Sequence, residues 1–576
     1  MKNNSTQPKL LIIGVDGATF DLILPWAKEG KLPAFARLLD GGVQAPLKST
    51  IPPLTAPAWT SFMTGKNPGR HGLFHFIEPQ PNGYGMQYTN ARSRKTPTIW
   101  TMLNAAQKTV GVINVPMTYP PEKVNGYMIS GMDTPDEQSD FMHPSFLKEE
   151  LQKAVGGIHL DIRHLGYMRT DEIRDLVLKE WEELEAQRTK ACLYLMEKYP
   201  TDVTMVMFSS VDQVQHHFWH YMDPAHPWFD PEGAKKYRNA ILRIYQTIDR
   251  QIGRLLDAVS EETGVVVMSD HGAGAISQRV LYLNRYLSRV GLLTFKDQGD
   301  RGFSPRRLLR AVVGQADIML RKHLSPRHKA VLAKWLPGLR QKWESYHTAF
   351  SDIDWKQTKA FAYEVLSFCP NIWINLKGRW PQGTIEPGRD YQETMDELVK
   401  KLHELSDPKT GQPVLKQVYR KNEIYTGPYA DQAPDLTLSW WDNPGFFLKA
   451  SVSADADKPV VAYLDKLNYG VDWSGTHRLD GILLLYGPSF KKGGTLARAD
   501  ILDVAPTILH LTGLPVPDNM DGKVLTESLR EGLSAANPVR YSTAALETGR
   551  DSDEANYSDE DAAKVEKRLQ DIGYIE

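Results

Sequence analysis

One large α/β core carrying an insertion is the fold class this chain predicts, and three observations predict it. The runs Lys9–Val15, Val203–Phe208 and the one that opens at Gly264 and leads into Asp270 are continuously apolar rather than alternating, the pattern of parallel strands covered on both faces. Each run empties into polar, metal-competent side chains, and open α/β sheets place their ligands beyond the carboxyl ends of strands. Long stretches of helical periodicity lie between the runs. A length of 576 residues exceeds one simple domain but suits a large core with an insertion.

Composition removes several classes. Hydrophobic residues make up 41% and charged residues 24%, the balance of a soluble globular protein. A formal net charge of −2 gives no general attraction for a nucleic-acid polymer or an acidic lipid surface. The two cysteines, Cys192 and Cys369, make neither a disulfide framework nor a C-x-x-C zinc site. A reducing, cytoplasmic location is therefore expected. The first apolar run ends directly at Asp16, so it reads as a strand rather than a signal peptide. No uncharged run reaches the ~18 residues of a membrane span.

In chain order, the first strand ends at Asp16-Gly17, where Asp16 fits either a ligand or a cap on the following helix. Ser49–Gly65 turns sharply into a helix with Pro57 in its first turn. Thr55, at that helix start, is either a plain N-cap or a hydroxyl placed where unpaired amides favour phosphate or alkoxide. Lys66–Gly72 is a basic loop in which His71 is expected to hold the turn. Thr98–Ala106 reads as helix, Val110–Val115 and Tyr127–Ile129 as strands, and Leu147–Val155 and Asp171–Tyr199 as helices, the last charged on its outer face.

Val203–Phe208 then opens into Asp212-x-x-x-His216, and positions i and i+4 share a helix face, so both can reach one metal ion. His217, one residue on, turns away from Asp212 and is expected to pack or support. Gly233–Glu262 reads as one long helix. The next strand ends in Asp270-His271-Gly272; a strand-to-loop bend lets both side chains converge. Residues 298–347 read as a basic helical insertion, either a solvated face or a lid over an anionic substrate. Ala360–Leu376 and Val414–Glu423 read as strands around a helix at Tyr391–Leu405. Gly475-Thr-His477 precedes a strand at Gly481–Tyr486 and a closing helix at Asp500–Thr512, and Asp551–Asp561 is an acidic segment expected at the surface.

Asp16, Thr55, Asp212, His216, Asp270, His271 and His477 are scattered in sequence but mostly lie at strand exits of one sheet. Carboxylate and imidazole donors without thiolates suit Zn²⁺, Mn²⁺ or iron, with Zn²⁺ the first choice and Mn²⁺ possible. Six such ligands are too many for one catalytic ion with an open position, and enough for two.

The ordered set Asp16-Gly17, Thr55 upstream of Thr64-Gly65, Pro68-x-x-His71-Gly72, Asp212-x-x-x-His216, Asp270-His271-Gly272 and Gly475-x-His477 resembles the alkaline phosphatase superfamily. It is most similar to the type I phosphodiesterase/nucleotide pyrophosphatase branch, over residues 9–90, 200–275 and 470–525. The resemblance implies a three-layer α/β/α sandwich with a large, mostly parallel sheet and an inserted helical/α+β cap. Its core would be 1–285 and 470–540, its cap 286–469 and its surface tail 541–576.

The resemblance further implies that Asp212, His216 and His477 hold one divalent ion, and that Asp16, Asp270, His271 and the Thr55 hydroxyl hold the other. Thr55 would attack phosphorus in line and form a phosphothreonine that water then cleaves. The implied partner is a small phosphorylated substrate, possibly a nucleotide, with Trp59 and His75 as candidate contacts. Phe76 stands where nucleotide pyrophosphatases usually carry a phosphate-binding asparagine, which puts a nucleotide in doubt. Thr55-Ala-Pro-Ala-Trp59 lacks the nucleophile and arginine of a sulfatase. A phosphomonoesterase, phosphomutase or phosphonate hydrolase of the same superfamily, or a non-catalytic phospho-ligand-binding protein, are the alternatives.

Overall fold

The computed structural model describes residues 9–162, 168, 170–296, 352–364, 370–442, 445–451, 457–467, 473–543 and 557–571. The basic segment at 298–347 lies outside the described residues, as does most of the acidic segment at 551–561.

Ten strands form the central sheet: β1 (Leu10–Val15), β2 (Val43–Lys48), β3 (Val110–Val115), β4 (Gly126–Ser130), β5 (Met142–His143), β6 (Val203–Phe208), β7 (Gly264–Met268), β8 (Asp480–Tyr486), β9 (Gly494–Thr495) and β10 (Ala499–Asp500). Their spatial order is β9-β2-β8-β7-β1-β6-β3-β4-β5, with β10 also beside β2. Every residue of β1, β3, β6 and β7 is buried, which is why these runs show no alternation: both of their faces are covered. β1 pairs in parallel with β6 and β7, aligning Val15 with Phe208 and Gly14 with Met268. That register delivers Asp16, the Asp212 segment and Asp270 to one edge of the sheet.

The sheet is the large, mostly parallel one expected of an alkaline-phosphatase-like fold. Its antiparallel exceptions are β8, set between β2 and β7, and β5 against β4. Helices pack in two groups: Asp171–Lys198, Ser210–Met222 and Ala240–Asp257 in one, Thr55–Thr64, Ile99–Ala105 and Val504–Leu511 in the other.

Several elements are shorter than their sequence pattern. Gly233–Glu262 is two helices, Pro231–Tyr237 and Ala240–Asp257. The first is capped by Asp230, whose carboxylate accepts from Glu232 and Gly233, with Pro231 in its first turn. It packs on Ser210–Met222, whereas the second also packs on Asp171–Lys198, and the break at Arg238-Asn239 separates the two directions. Ala360–Leu376 contains two antiparallel strands, Ala360–Ala362 and Asn371–Ile374, the second starting after Pro370. Val414–Glu423 holds only the strand Val418–Arg420 before the chain turns helical at Lys421, where Glu423 accepts the Arg420 N–H. Asp500–Thr512 begins as a 3₁₀ turn, Ile501–Asp503, before the α-helix Val504–Leu511.

The inserted region carries its own sheet, Ala360–Ala362, Asn371–Ile374, Leu436–Leu438 and Val418–Arg420, backed by helix Arg389–His403. It is joined to the core through the hairpin Ile77–Pro79/Met86–Tyr88, whose tip residue Tyr84 stacks between Trp355 and Trp380 at 3.7 and 5.4 Å. Near the C-terminus, helix Asp559–Asp571 buries Val565 and Leu569, and Arg568 donates to the Met132 carbonyl, so this part of the tail docks on the loop after β4.

Candidate active site

At the exit of β1 the Asp16 N–H still bonds the Phe208 carbonyl at 2.9 Å, and the chain then bends at Gly17 with φ +65°. A Cβ there would stand 2.6 Å from Asp212 Oδ1. Only glycine supplies both the left-handed conformation and the space. The Gly17 N–H donates to Asp270 Oδ1 at 3.3 Å, and its carbonyl accepts from Gln215 Nε2 at 2.9 Å. Tyr245 completes this brace by donating to Gln215 Oε1 and accepting from Thr19 N–H.

Thr55 opens the helix Thr55–Thr64, and Leu54 rather than Thr55 occupies the cap position. Thr55 is therefore not the N-cap; its Oγ1 is buried and lies 3.4 Å from His271 Nε2. Asp212 and His216 lie one turn apart on helix Ser210–Met222, with His216 Nε2 3.1 Å from Asp212 Oδ2. His477 arrives from the far side of the insertion on the short strand Gly475–Arg478, which pairs antiparallel with Gly272–Ala275 and sets His477 opposite Ala273.

The imidazoles are oriented alike. His216 Nδ1 faces the Gly475 carbonyl at 2.9 Å, His271 Nδ1 the Gly272 carbonyl at 3.0 Å and His477 Nδ1 the Pro53 carbonyl at 2.8 Å. A carbonyl only accepts, so each Nδ1 carries the proton and each Nε2 presents a lone pair to the centre. His216 Nε2 and His477 Nε2 then face each other at 3.2 Å. Around them Asp16 Oδ1, Asp212 Oδ1 and Asp270 Oδ2 are buried without a hydrogen-bond partner. Converging lone pairs and orphaned carboxylate oxygens repel one another unless a cation lies among them, so the residues present fit divalent metal. Two groups have ligand atoms within 4.8 Å of one another: Asp212, His271 and His477, and Asp16, Asp270 and His271. His271 thus stands between the two groups, where the sequence reading assigned it to the second.

Electrostatics agree. Burial, then the charges of Asp270 and Asp212, hold the Asp16 carboxyl well above the ordinary range. Burial likewise raises Asp270, although His271 opposes it. Burial would also raise Asp212, but the imidazoles of His216, His477 and His271 outweigh it and leave that carboxyl low. Burial and the neighbouring His271 press His477 towards its neutral form, the form that ligates metal.

The supporting residues were the least visible in the sequence. Glu185 and Arg188 belong to helix Asp171–Lys198, read as charged on its outer face, yet both are fully buried. Glu185 Oε1 accepts from Ser209 N–H, Ser210 N–H and Ser210 Oγ, closing the N-terminus of the helix that carries Asp212. Arg188 balances it at 2.9 Å and bonds Ser209 Oγ. The available signal was phase: the pair falls on the same stripe as Val177, Trp181, Leu184 and Cys192. Trp473 stacks on His216 at 3.4 Å.

Of the remaining candidates, His71 braces the turn as expected: Nδ1 accepts from Leu73 N–H, Nε2 lies 3.0 Å from Ser61 Oγ, and burial drives its pKa down to about 3. His217 is buried, and burial lowers it to about 3. His75 is held neutral by burial, at about 4, and its Nδ1 accepts from Ile77 N–H, leaving Nε2 as a donor. Trp59, expected to face the substrate, is instead wholly buried, with its indole N–H 3.4 Å from Asp16 Oδ2.

A carboxylate–imidazole cluster beside a buried hydroxyl, at the carboxyl edge of a mostly parallel sheet, suits metal-assisted hydrolysis of a phosphoric ester, and the family to which the chain is matched is one of phosphoric ester hydrolases. The sequence pattern of the type I phosphodiesterase / nucleotide pyrophosphatase family matches residues 10–462, and the chain belongs to that family. Among solved structures it is similar to human ectonucleotide pyrophosphatase/phosphodiesterase 5, with TM-score 0.47 and 14% identity over 91% of this chain and 100% of that one. An inactive murine form of that protein in complex with AMP gives the same values. Phosphonoacetate hydrolase from Sinorhizobium meliloti, in complex with phosphonoformate, gives TM-score 0.48 and 14% identity over 87% and 95%. No curated protein sequence matches. No described helix is long and apolar enough to cross a membrane.

Proposed function

We propose that the chain hydrolyses phosphoric diesters with Thr55 Oγ1 as nucleophile, in the presence of two divalent cations, Zn²⁺ before Mn²⁺. Asp212, His216 and His477 would hold one; Asp16, Asp270 and His271, with the Thr55 oxygen, would hold the other. When bound, such ions supply positive charge beside the attacking and departing oxygens. Thr55 Oγ1 bonds to phosphorus as the P–O bond to the leaving group breaks, and the hydroxyl proton passes by way of water to the departing oxygen, which leaves as the alcohol. Water then cleaves the phosphothreonine and releases a phosphate monoester. His75, a neutral Nε2–H donor, is suited to a non-transferring phosphate oxygen. In this reading residues 1–285 and 470–540 supply the chemistry, and 286–469 shape the pocket for the leaving group of a small phosphorylated substrate, a nucleotide among the candidates.

The observation that carries the proposal is the arrangement of three imidazoles, each pinned through Nδ1 to a carbonyl, with Nε2 atoms converging on orphaned carboxylate oxygens beside Thr55. The test is turnover of bis-p-nitrophenyl against mono-p-nitrophenyl phosphate by metal-loaded protein and its Thr55→Ala variant. The variant is expected to keep its metal and lose roughly 10³-fold or more in kcat. Unchanged kcat in Thr55→Ala would remove the nucleophile, and faster turnover of the monoester would make the chain a phosphomonoesterase.

A further inference from the structure

We infer that Trp59 is a positioning residue for the metal centre, holding back one oxygen of Asp16 so that the other is presented to the cation; this rests on the proposal that Asp16, Asp270 and His271 hold an ion. The two oxygens of Asp16 differ sharply in environment. Oδ2 accepts the Trp59 indole N–H at 3.4 Å, while Oδ1 is buried without a hydrogen-bond partner and lies 3.6 Å from His271 Nε2. Asp270 shows the same division, with Oδ1 taking the Gly17 N–H and Oδ2 orphaned. In each carboxylate an N–H donor occupies one oxygen and turns the other towards the centre. Donors that orient ligands in this way set metal affinity without touching the metal.

The ring is locked where it stands. Its Cη2 atom lies over Gly14, two residues before Asp16, where a Cβ would come within 2.6 Å of it and 3.0 Å of Met207 Cγ. Phe62 packs edge-on against the indole at 5.8 Å, and Trp100 against Phe62 at 6.2 Å. A side chain at position 14 would therefore collide with the ring, and the indole is buried between Gly14 and Phe62 on the side of Asp16. Trp59 also sits one helical turn after Thr55 on the same helix, so one rigid element sets both the nucleophile and the orientation of a ligand.

A purely structural tryptophan would predict loss of stability alone. The positioning role predicts that Trp59→Phe, which keeps an aromatic ring but loses the N–H, binds one of two Zn²⁺ ions about 10–100-fold more weakly in a chelator-competition titration, with the second ion unaffected. A Phe62→Leu control, which disturbs packing in the same helix, should leave both affinities within about threefold. Identical titrations for wild type and Trp59→Phe would overturn the role. A wild-type protein that binds no ion would sink the metal-centre proposal instead, so the two failures are distinct. Should Trp59→Phe not fold, 5-fluorotryptophan placed at position 59 of the otherwise native chain gives a second readout. Its ¹⁹F resonance should shift as Zn²⁺ is added and not shift in an Asp16→Asn background; no shift in the native background refutes the inference.

Discussion

At Gly17 a single hydrogen atom decides whether the site can close. The residue turns the chain with φ +65°, and any Cβ would press on Asp212 at 2.6 Å from Oδ1 and 3.1 Å from its backbone Cα. Gly17→Ala is expected to lower stability by about 1–3 kcal/mol through the forced backbone conformation. It should cost the site more than the fold, because relief of the clash moves Asp212 away from His271 and His477. Urea unfolding and a Zn²⁺ titration of the same variant separate the two effects; metal binding equal to wild type would show that Asp212 tolerates the displacement. Asp16, Asp212, His216, Asp270 and His271 were legible because carboxylates and imidazoles just past apolar runs stand out against their surroundings, whereas Thr55 and His477 gained weight only as parts of the ordered motif set. Gln215 and Tyr245 were not, and Trp59 was noticed only as a candidate substrate contact. Amide, phenol and indole groups are common in cores for other reasons, and nothing local shows that Gln215 reaches Gly17 across 198 positions.

Helices and strands were readable in proportion to how far local pattern alone determines them. β6 came out at its expected limits, and β1 and β7 within the runs that announced them, because a strand buried on both faces needs nothing but apolar residues. The segment Gly233–Glu262 is broken in two, its second half packing on Asp171–Lys198 as well as on the Ser210–Met222 helix that both halves touch, which periodicity within one segment does not report. Helix Asp171–Lys198 shows the opposite failure: charge suggested solvent, but Glu185 caps the helix Ser210–Met222 that carries Asp212. Removing it leaves the Arg188 guanidinium buried without its 2.9 Å partner and the Ser209 and Ser210 amides without an acceptor. Glu185→Ala is therefore expected to cost about 3–5 kcal/mol, and the double change Glu185→Leu with Arg188→Met distinctly less, since the second charge goes too. Denaturant midpoints of the two proteins decide it, and a single variant no worse than the double would argue that the pair carries no structural charge.

Assembly of the whole molecule depends on contacts that join distant stretches, and these left the faintest trace in the sequence. His477 meets His216 from 261 positions away because the ribbon after the insertion returns to Gly272–Ala275. The inserted region is tied back at Tyr84 and again at Glu364, whose carboxyl takes Asn284 N–H and Ser451 N–H at 2.8 and 2.7 Å together with Asn284 Nδ2 and Ser451 Oγ. Asn284 in turn clamps both backbone groups of Ala362. Three segments thus close on one buried acid, and burial outweighs its donors to lift its pKa to about 7. In the unfolded chain the same group ionises near ~4.3. Between those values the folded state holds a proton that the unfolded state has released, so stability falls as pH rises from about 4.5 to about 7 and then levels off. Full ionisation of this group then costs on the order of 3 kcal/mol. Glu364→Gln keeps the shape and removes the titration. Its denaturant midpoint should therefore change less than that of wild type between pH 5 and pH 7.5, by a margin of this order. The comparison is a difference between two proteins identical at every other position, so titration of their shared groups cancels. Parallel curves for the two proteins would show that the joint around Glu364 holds an ionised carboxylate, its four donors outweighing burial.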